Sequence, residues 1–349
     1  MKCADSLLSS ATILACPHCQ GTLGPQGPHA RCESCDITFE SLRGILDLRT
    51  ADDEYLSNDQ DWRIARALDD RFDTLDFRNL LELYYELMGD VPPSLRLRQI
   101  DHILSAPSRA AQWMQALGNQ ADRGVILDLG CGPGGFLASR PNDHRSWVGL
   151  DIAMRWLLLA RKRLDELGRD DITLVCGCAE ALPFADNSIA AIVAGDVVEH
   201  VRSREILLTE THRVLSANGR MIAATPNRFS LAPEPHVNVW GVGFLPRSLM
   251  KPYVKMRSGV DFRAITTHGW RGWHRLARHS PFQGCRIVAS ELPFREHSSR
   301  FKGMLVGGYN RVIRTRVGQM LAKACGPLFH MTFSKAPRST QAIRPHSRP

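Results

Sequence analysis

The first residues suited to metal chemistry are four cysteines arranged in two pairs. Two residues separate the thiols within each pair and twelve residues separate the pairs, which are Cys16 with Cys19 and Cys32 with Cys35. Two such pairs facing each other complete a tetrahedral four-thiolate site, the coordination that structural zinc prefers. Because four thiolates leave no open coordination position, we expect a structural Zn²⁺ ion rather than a catalytic one.

A glycine-rich turn in the middle of the chain is the second candidate site. It follows an apolar run, residues 125–129, that is typical of a buried parallel strand. Glycine permits a positive φ and close approach of a ligand, and a helix behind such a turn presents free N–H groups. Asp151 follows about 20 residues later, where a carboxylate reaches ribose hydroxyls. The glycines of the turn are Gly130, Gly132, Gly134 and Gly135.

The turn alone leaves two cofactor classes open. The spacing G-x-G-x-x-G from Gly130 to Gly135 fits dinucleotides. The spacing Asp128-x-Gly130-x-Gly132-x-Gly134 fits S-adenosylmethionine (SAM) equally well. Both ligands contain a ribose, so Asp151 does not separate them.

Further motifs downstream separate the two classes. An A-x-x-L-P-F loop runs from Ala179 to Phe184, a Glu199-His200 pair follows the apolar run 189–194, and R-V-L-x-x-x-G-R runs from Arg213 to Arg220. With the glycine turn and Asp151, this succession strongly resembles class I SAM-dependent methyltransferases of the type 11 kind over roughly residues 120–225. The resemblance implies methyl transfer with SAM as cofactor. A dehydrogenase fits least, because it has no place for the Leu-Pro-Phe loop.

The resemblance also implies which residues bind SAM. Glycines would approach the methionine part, Asp151 the ribose hydroxyls and Ala179 the adenine edge. Two positions depart from the family pattern, because Cys178 and Ala190 stand where aspartate is usual. The implied cofactor-binding residues are Asp128, Gly130, Gly132, Gly134, Asp151, Ala179 and Asp196.

Two histidines are candidates for a catalytic base. His200 follows Glu199 just past the fourth strand, and His236 lies in a long segment rich in proline, glycine and tryptophan. Either could take a proton from a hydroxyl or an amine of the acceptor. No base is needed if the acceptor arrives already ionised.

The alternation of strands and helices from about residue 122 predicts an α/β fold. We expect a doubly wound, seven-stranded, mostly parallel Rossmann-like sheet, with ligands at the carboxyl ends of its strands. Residues 44–48 are expected to complete the zinc ribbon. The expected divisions are a zinc ribbon at 1–50, a helical cap at 51–118, a methyltransferase domain at 119–335 with insertions near 226–265 and 292–326, and a disordered basic tail at 336–349.

The charge of the chain is unevenly distributed. The net charge is +8, yet the segment from His297 to Pro349 carries ten Lys and Arg and no Asp or Glu, which leaves −2 for the rest. Such a basic region could hold RNA. The clustered cysteines favour a reducing cytoplasm, and Asp5 argues against a secretion signal at the N-terminus. No apolar run approaches the roughly 20 residues of a membrane span.

The acceptor of the methyl group is less defined by the sequence. The apolar, aromatic segment 229–247 at the expected mouth of the site favours a small metabolite or lipid-like molecule, methylated at O, N or C. The four-cysteine ribbon resembles that of bacterial 23S ribosomal RNA guanine-N1 methyltransferases, so an rRNA or tRNA base remains an alternative. A catalytically silent SAM-fold adaptor is a third possibility.

Overall fold

The computed structural model describes residues 13–89, 93–117, 124–141, 144–292 and 300–335. The expected basic tail at 336–349 lies outside these residues. Within them, no helix is long and apolar enough to cross a membrane.

A small antiparallel sheet surrounds the four cysteines. Its strands β1 (Leu23–Gln26), β2 (His29–Cys32) and β3 (Thr38–Phe39) pair in the order β1-β2-β3. Ala30, Cys32 and Phe39 are buried and join the main core of the protein. The ribbon therefore packs on the rest of the chain rather than standing apart from it.

The next hairpin leaves the ribbon. Strands β4 (Ser41–Leu42) and β5 (Ile45–Leu48) pair with each other, and β5 also runs parallel to the strand Thr173–Gly177 of the main sheet. The prediction that residues 44–48 complete the ribbon is therefore wrong. Ile45, Leu46 and Leu48 are buried, and their near-continuous apolar pattern is typical of a parallel strand covered on both faces.

Helices cover the sheet near β5. Helix α1 begins with a capping box, in which the Ser57 hydroxyl accepts from the Gln60 N–H and the Gln60 side chain accepts from the Ser57 N–H. Helices α1 and α2 are twelve residues each, and α2 packs on α1. The helices here are α1 (Asn58–Asp69), α2 (Phe77–Met88), α3 (Pro93–Leu104), α4 (Ala106–Arg109) and α5 (Ala111–Leu117).

Strands and helices alternate through the rest of the chain. In chain order they are β6 (Val125–Leu129), β7 (Ser146–Asp151), α6 (Met154–Glu166), β8 (Thr173–Gly177), β9 (Ile189–Gly195), α7 (Arg204–Val214), β10 (Leu215–Pro226), α8 (Arg247–Ser258), α9 (Trp270–His279), β11 (Gly284–Ala289), α10 (Arg300–Ile313), α11 (Arg316–Cys325) and β12 (Leu328–Ser334).

The main sheet of the described residues has nine strands in the order β11-β12-β10-β9-β6-β7-β8-β5-β4. Strands β10, β9, β6, β7 and β8 are parallel, and β12 is antiparallel to both β10 and β11. The predicted doubly wound, mostly parallel α/β sheet is confirmed. Seven strands form the expected set, and the hairpin β4–β5 extends it at the β8 edge.

Helix α6 is apolar on two faces because it lies between two layers. Leu157 and Leu164 belong to the cluster beneath the sheet, whereas Leu158 and Leu159 pack with the residues of α1 and α2. Leu167, which the sequence places on the buried face of this helix, is 54% exposed just past its end. Both faces of α6 are therefore packed against other parts of the protein, and its position does not depend on a bound ligand.

A buried carboxylate joins three parts of the fold. Asp61 of α1 is fully buried and accepts hydrogen bonds from the Met154 N–H at 2.8 Å, from Arg155 Nη1 at 2.6 Å and from Arg49 Nη1 at 2.9 Å. Arg49 follows β5, and Met154 and Arg155 open α6. The anion also meets the positive end of the α6 dipole.

We expect Asp61→Asn to destabilise the protein by about 3–5 kcal/mol, because it leaves two buried guanidinium groups short of a charge partner. Urea unfolding followed by circular dichroism measures the change. Asp59→Asn is the matched control, since Asp59 is exposed on the same helix, and it should change stability by less than about 1 kcal/mol. Equal effects of the two substitutions would contradict the role given to Asp61.

Candidate functional site

A cavity of about 330 Å³ lies at the carboxyl ends of β6, β7 and β9. This edge is where doubly wound sheets bind ligands. Its wall includes residues of the loop before α1, of α3, of the glycine turn, of the start of α6 and of the segments after β8 and β9. The predicted site residues on the wall are Gly130, Gly132, Asp151, Ala179, Asp196 and His200.

Two glycines of the turn are required by geometry. Gly130 has φ 69°, and a Cβ there would lie 2.2 Å from Cγ2 of Val197. Gly132 has φ 49°, and a Cβ there would have no atom within 4 Å, so its backbone borders open space. The Gly132 N–H donates to Oδ2 of Asp151 at 2.8 Å. The turn and the acidic end of β7 are thus held together as one unit.

Two other predicted cofactor residues lie behind the wall. A Cβ at Gly134 would come 3.1 Å from the Cβ of Ala160, so this glycine lets the turn pack on α6. Asp128 is 5% exposed, and its Oδ2 has no hydrogen-bond partner among the described residues. Neither residue lines the cavity.

The two buried aspartates, Asp128 and Asp151, have raised pKa values. Burial raises the pKa of Asp151 to about 6, although N–H groups of Ala153 and Gly132 oppose the shift. Burial, with the nearby charge of Asp151, raises the pKa of Asp128 to about 8. At neutral pH the pair therefore carries about one negative charge, placed on Asp151.

Several wall residues were not predicted from the sequence. Asp53 and Tyr55 reach the cavity from the loop before α1, and Trp156 reaches it from the first turn of α6. The loop carries no local motif, but an aromatic residue five positions after Asp151 was a usable signal. Cys178, which replaces the usual aspartate, is buried with its Sγ 3.7 Å from the Ala51 carbonyl oxygen and does not line the cavity.

The two candidate histidines lie in contact with each other. Their Nε2 atoms are 3.2 Å apart, although 36 residues separate them. His236 donates from Nδ1 to Oε1 of Glu234 at 2.6 Å, and His200 Nδ1 lies 3.3 Å from the Tyr55 hydroxyl. His200 lines the cavity and His236 lies behind it.

Glu199 is the third member of this group. It is fully buried, its Oε2 accepts from the Thr225 hydroxyl at 3.1 Å, and its Oε1 lies 3.9 Å from His236 Nε2. Burial and the charge of Asp196 raise the pKa of Glu199 to about 8. Burial lowers the pKa of His200 to about 4. Burial also opposes protonation of His236, but the Glu234 carboxylate outweighs it and raises its pKa.

The segment after β10 has a small core of its own. Val239, Val242, Val254 and Phe262 are buried together beside α8. Within residues 226–247, His236 contacts the cavity wall, since its Nε2 lies 3.2 Å from Nε2 of His200. Trp240 and Phe244, two aromatic residues of the segment expected at the mouth of the site, are 63% and 54% exposed and do not line the cavity.

The four cysteines of the ribbon converge on one point. The Sγ atoms of Cys16 and Cys35 are 3.6 Å apart and those of Cys19 and Cys32 are 3.4 Å apart. All four lie within 4.8 Å of one another. These distances are too long for disulfides and close to the separation of two sulfurs bound to one tetrahedral ion at about 2.3 Å.

The two cysteine pairs have matching backbone geometry. In the first, the Gln20 N–H donates to the Cys16 carbonyl, and in the second the Asp36 N–H donates to the Cys32 carbonyl. Gln20 and Asp36 both have positive φ, 60° and 65°. Backbone N–H groups of Cys35 and Ser34 also lower the pKa of the Cys32 thiol. The two turns therefore have the same backbone conformation and bring the four sulfurs to one point, although burial raises the pKa of the Cys16 thiol.

Comparison with known proteins identifies the segment around the cavity. Residues 127–223 match a protein family described as methyltransferase domain. This segment is a methyltransferase domain. The resemblance to class I SAM-dependent methyltransferases is thereby confirmed, and the methyltransferase domain includes the glycine turn, Asp151 and the Glu199-His200 pair.

Curated relatives include three methyltransferases, each similar to part of the chain. A demethylmenaquinone methyltransferase of Symbiobacterium thermophilum is 35% identical over 152 residues, 39% of this chain and 61% of the relative. A malonyl-[acyl-carrier protein] O-methyltransferase of Marinomonas sp. is 33% identical over 119 residues, 33% of this chain and 42% of the relative. A ubiquinone biosynthesis O-methyltransferase of Azorhizobium caulinodans is 35% identical over 104 residues, 30% of this chain and 40% of the relative. The chain spans 18–61% of the length of such relatives.

Proposed function

We propose that this chain transfers a methyl group from SAM to an O, N or C nucleophile of a small metabolite or lipid-like molecule. The observation that carries the proposal is the cavity at the glycine turn of the methyltransferase domain, with Gly132 and Asp151 bonded to each other on its wall. The cofactor residues proposed on this wall are Gly130, Gly132, Asp151, Ala179 and Asp196, with Asp128 and Gly134 supporting the turn.

The charge of the cavity favours SAM over a dinucleotide. SAM carries a positive sulfonium and a positive amino group, whereas a dinucleotide brings an anionic pyrophosphate. Acidic side chains on the wall outnumber basic ones, and like charges brought into a buried site repel strongly. The acidic residues are Asp53, Glu54, Asp151, Glu180 and Asp196, and the basic residues are Arg155 and Arg202.

The class of acceptor is proposed from the lining of the cavity and from the names of the relatives. The described wall also has apolar groups, including Ile103, Leu129 and Trp156, which suit a ligand that is partly apolar. The names of the relatives refer to menaquinone, ubiquinone and malonyl-carrier chemistry. His200, which lines the cavity, and His236, which contacts it from behind, are the residues that we propose to act on the acceptor.

We expect Asp151→Asn to weaken binding of S-adenosylhomocysteine roughly 100-fold at pH 7.5, because hydrogen bonds to a carboxylate contribute about 1.5–3 kcal/mol each. In the unaltered protein the affinity should fall about tenfold per pH unit below about pH 6. The pKa of Asp151 is raised to about 6, so below that pH the side chain is mainly in its uncharged acid form. Isothermal titration calorimetry from pH 5 to 8 measures both effects.

The Asp151→Asn variant is also the control for the pH series, since its weak binding should lose the dependence near pH 6. Calorimetry with NADH serves as the second control. Tight binding of NADH without binding of S-adenosylhomocysteine would overturn the proposed function.

The cysteine cluster is proposed to hold one structural Zn²⁺ ion. Its four sulfurs fit a closed tetrahedral site, and such an ion stabilises the fold rather than taking part in transfer. Cys16 and Cys32 also belong to the main hydrophobic core, so loss of the ion should affect more than the ribbon.

The double variant Cys32→Ser, Cys35→Ser should lose one equivalent of zinc and melt at least about 5 °C lower, since each kcal/mol lost shifts the midpoint by roughly 2–4 °C in domains of this size. Metal analysis and differential scanning fluorimetry measure the two changes. Cys285→Ser, which alters an exposed cysteine of β11, should change neither. Unaltered zinc content in the double variant would show that the cluster is not the site.

RNA is the second candidate acceptor because the segment from Arg300 to Pro349, whose last residues form the basic tail, has ten Lys and Arg and no acidic residue. We expect weak binding to ribosomal RNA fragments that is insensitive to sequence and is lost in a chain ended after Lys335. Filter binding across a salt series measures it, since phosphate contacts give a steep salt dependence. Tight binding to a structured fragment, with methyl transfer to guanine, would replace the small-molecule proposal.

A further inference from the structure

Three potential ligand atoms converge beside the cofactor cavity. Nε2 of His200, Nε2 of His236 and a carboxylate oxygen of Glu199 all lie within 4.8 Å of one another. The two nitrogens are 3.2 Å apart, and Glu199 Oε1 is 3.9 Å from His236 Nε2. Two ligands about 2.1 Å from one ion at angles of 90–109° are about 3.0–3.4 Å apart. The two histidine nitrogens therefore have the spacing of ligands around a common cation, and Glu199 Oε1 would have to approach His236 by about 0.5 Å to complete the set.

Hydrogen bonds within the protein leave this group incompletely satisfied. Glu234 accepts from Nδ1 of His236, which leaves the Nε2 lone pair of the neutral ring directed at His200. A proton shared by the two Nε2 atoms would satisfy the histidines alone. Glu199 Oε1 is fully buried and has no hydrogen-bond partner among the described residues, which is costly for a carboxylate oxygen.

Surrounding groups orient the three side chains. Glu234 holds the His236 ring from the far side, the arrangement by which carboxylates orient metal-binding histidines. The Thr225 hydroxyl donates to the other oxygen of Glu199. The backbone carbonyl of Glu199 accepts from the Thr266 N–H and from Arg204 Nη2, each at 2.8 Å. This site is held from β10, α7 and the segment after α8.

We propose that Glu199, His200 and His236 bind a divalent transition-metal ion at the acceptor side of the cofactor cavity. Two imidazoles and one carboxylate suit Zn²⁺, Fe²⁺, Co²⁺ or Mn²⁺, whereas Mg²⁺ and Ca²⁺ prefer oxygen ligands throughout. Three protein ligands leave coordination positions open, in contrast with the four-thiolate ribbon. Asp196, whose charge acts on both Glu199 and His236, adds to the negative field.

The proposal rests on the proposed function and narrows the acceptor to a hydroxyl oxygen. An acceptor hydroxyl bound at an open position becomes more acidic and releases its proton to solvent. An oxygen lone pair then forms the C–O bond to the methyl group, and the S–CH₃ bond breaks with its electrons on sulfur. The products are a methyl ether, S-adenosylhomocysteine and one proton. His200 and His236 then act as ligands rather than as bases.

Metal stoichiometry of the full chain tests the proposal. The tag-free protein is loaded with Co²⁺, desalted and analysed by mass spectrometry for metal per chain. We expect two equivalents in the unaltered protein, one in Glu199→Gln and one in His236→Asn. His330→Asn is the matched control, a histidine on β12 that bonds with Ser290, and it should keep two. The equivalent lost should lack sulfur-to-metal charge-transfer absorption.

One equivalent in the unaltered protein, bound only by thiolates, would overturn the metal centre without depending on how any variant folds. Two equivalents retained in both Glu199→Gln and His236→Asn would overturn it as well. Calorimetry with S-adenosylhomocysteine on the same samples separates this result from the proposed function. His236→Asn should bind S-adenosylhomocysteine within about threefold of the unaltered protein. Loss of the second ion with such retained binding supports the proposal.

Discussion

The fold depends on a buried charge at the start of α6. Asp61 carries a negative charge into a site without solvent, where it is stable only because two arginines and two backbone N–H groups of α6 surround it. Those donors come from the strand hairpin after the ribbon and from the core of the methyltransferase domain. The same α6 N-terminus follows Asp151, whose Oδ1 accepts from the Ala153 N–H at 2.9 Å. The helices before β6 and the carboxylate of Asp151, proposed to bind the cofactor, are thus both positioned by the N-terminus of α6.

The segment that leads into the ribbon is hydrogen-bonded to a loop that borders the cavity. The Ala15 N–H donates to the Pro183 carbonyl at 3.0 Å, and the Ala185 N–H donates to the Ile13 carbonyl at 2.8 Å. These bonds hold the loop that begins at Ala179 on the cavity wall. Arg213 fixes the same loop from below by donating to the carbonyl oxygens of Leu182 and Phe184. The proposed zinc site, whose cysteines do not line the cavity, can therefore help to order a segment that borders it.

The sequence predicted the features that depend on local pattern. The glycine turn, the parallel strands and the cysteine pairs are each determined by residues close in sequence. Long-range features were missed. The pairing of residues 45–48 with β8 joins segments more than 120 residues apart in sequence. The start of α1 is polar, and nothing in its pattern indicates that Asp61 is buried. His200 and His236 were proposed as separate bases, because their contact arises only when the segment after β10 folds back.

The end of β9 serves both halves of the proposed reaction. Asp196 has φ 56°, an uncommon conformation for a residue with a side chain, and it lines the cavity directly beside the turn that carries Glu199 and His200. SAM already contains a good leaving group, so the protein needs mainly to align the acceptor and exclude water. In the proposed reaction Asp196 faces SAM, and Glu199 and His200 of the same turn hold the acceptor. One turn would therefore position both reactants. Backbone strain at Asp196 therefore lies between the wall of the proposed cofactor site and the Glu199-His200 pair, the kind of position where strained residues are often functional.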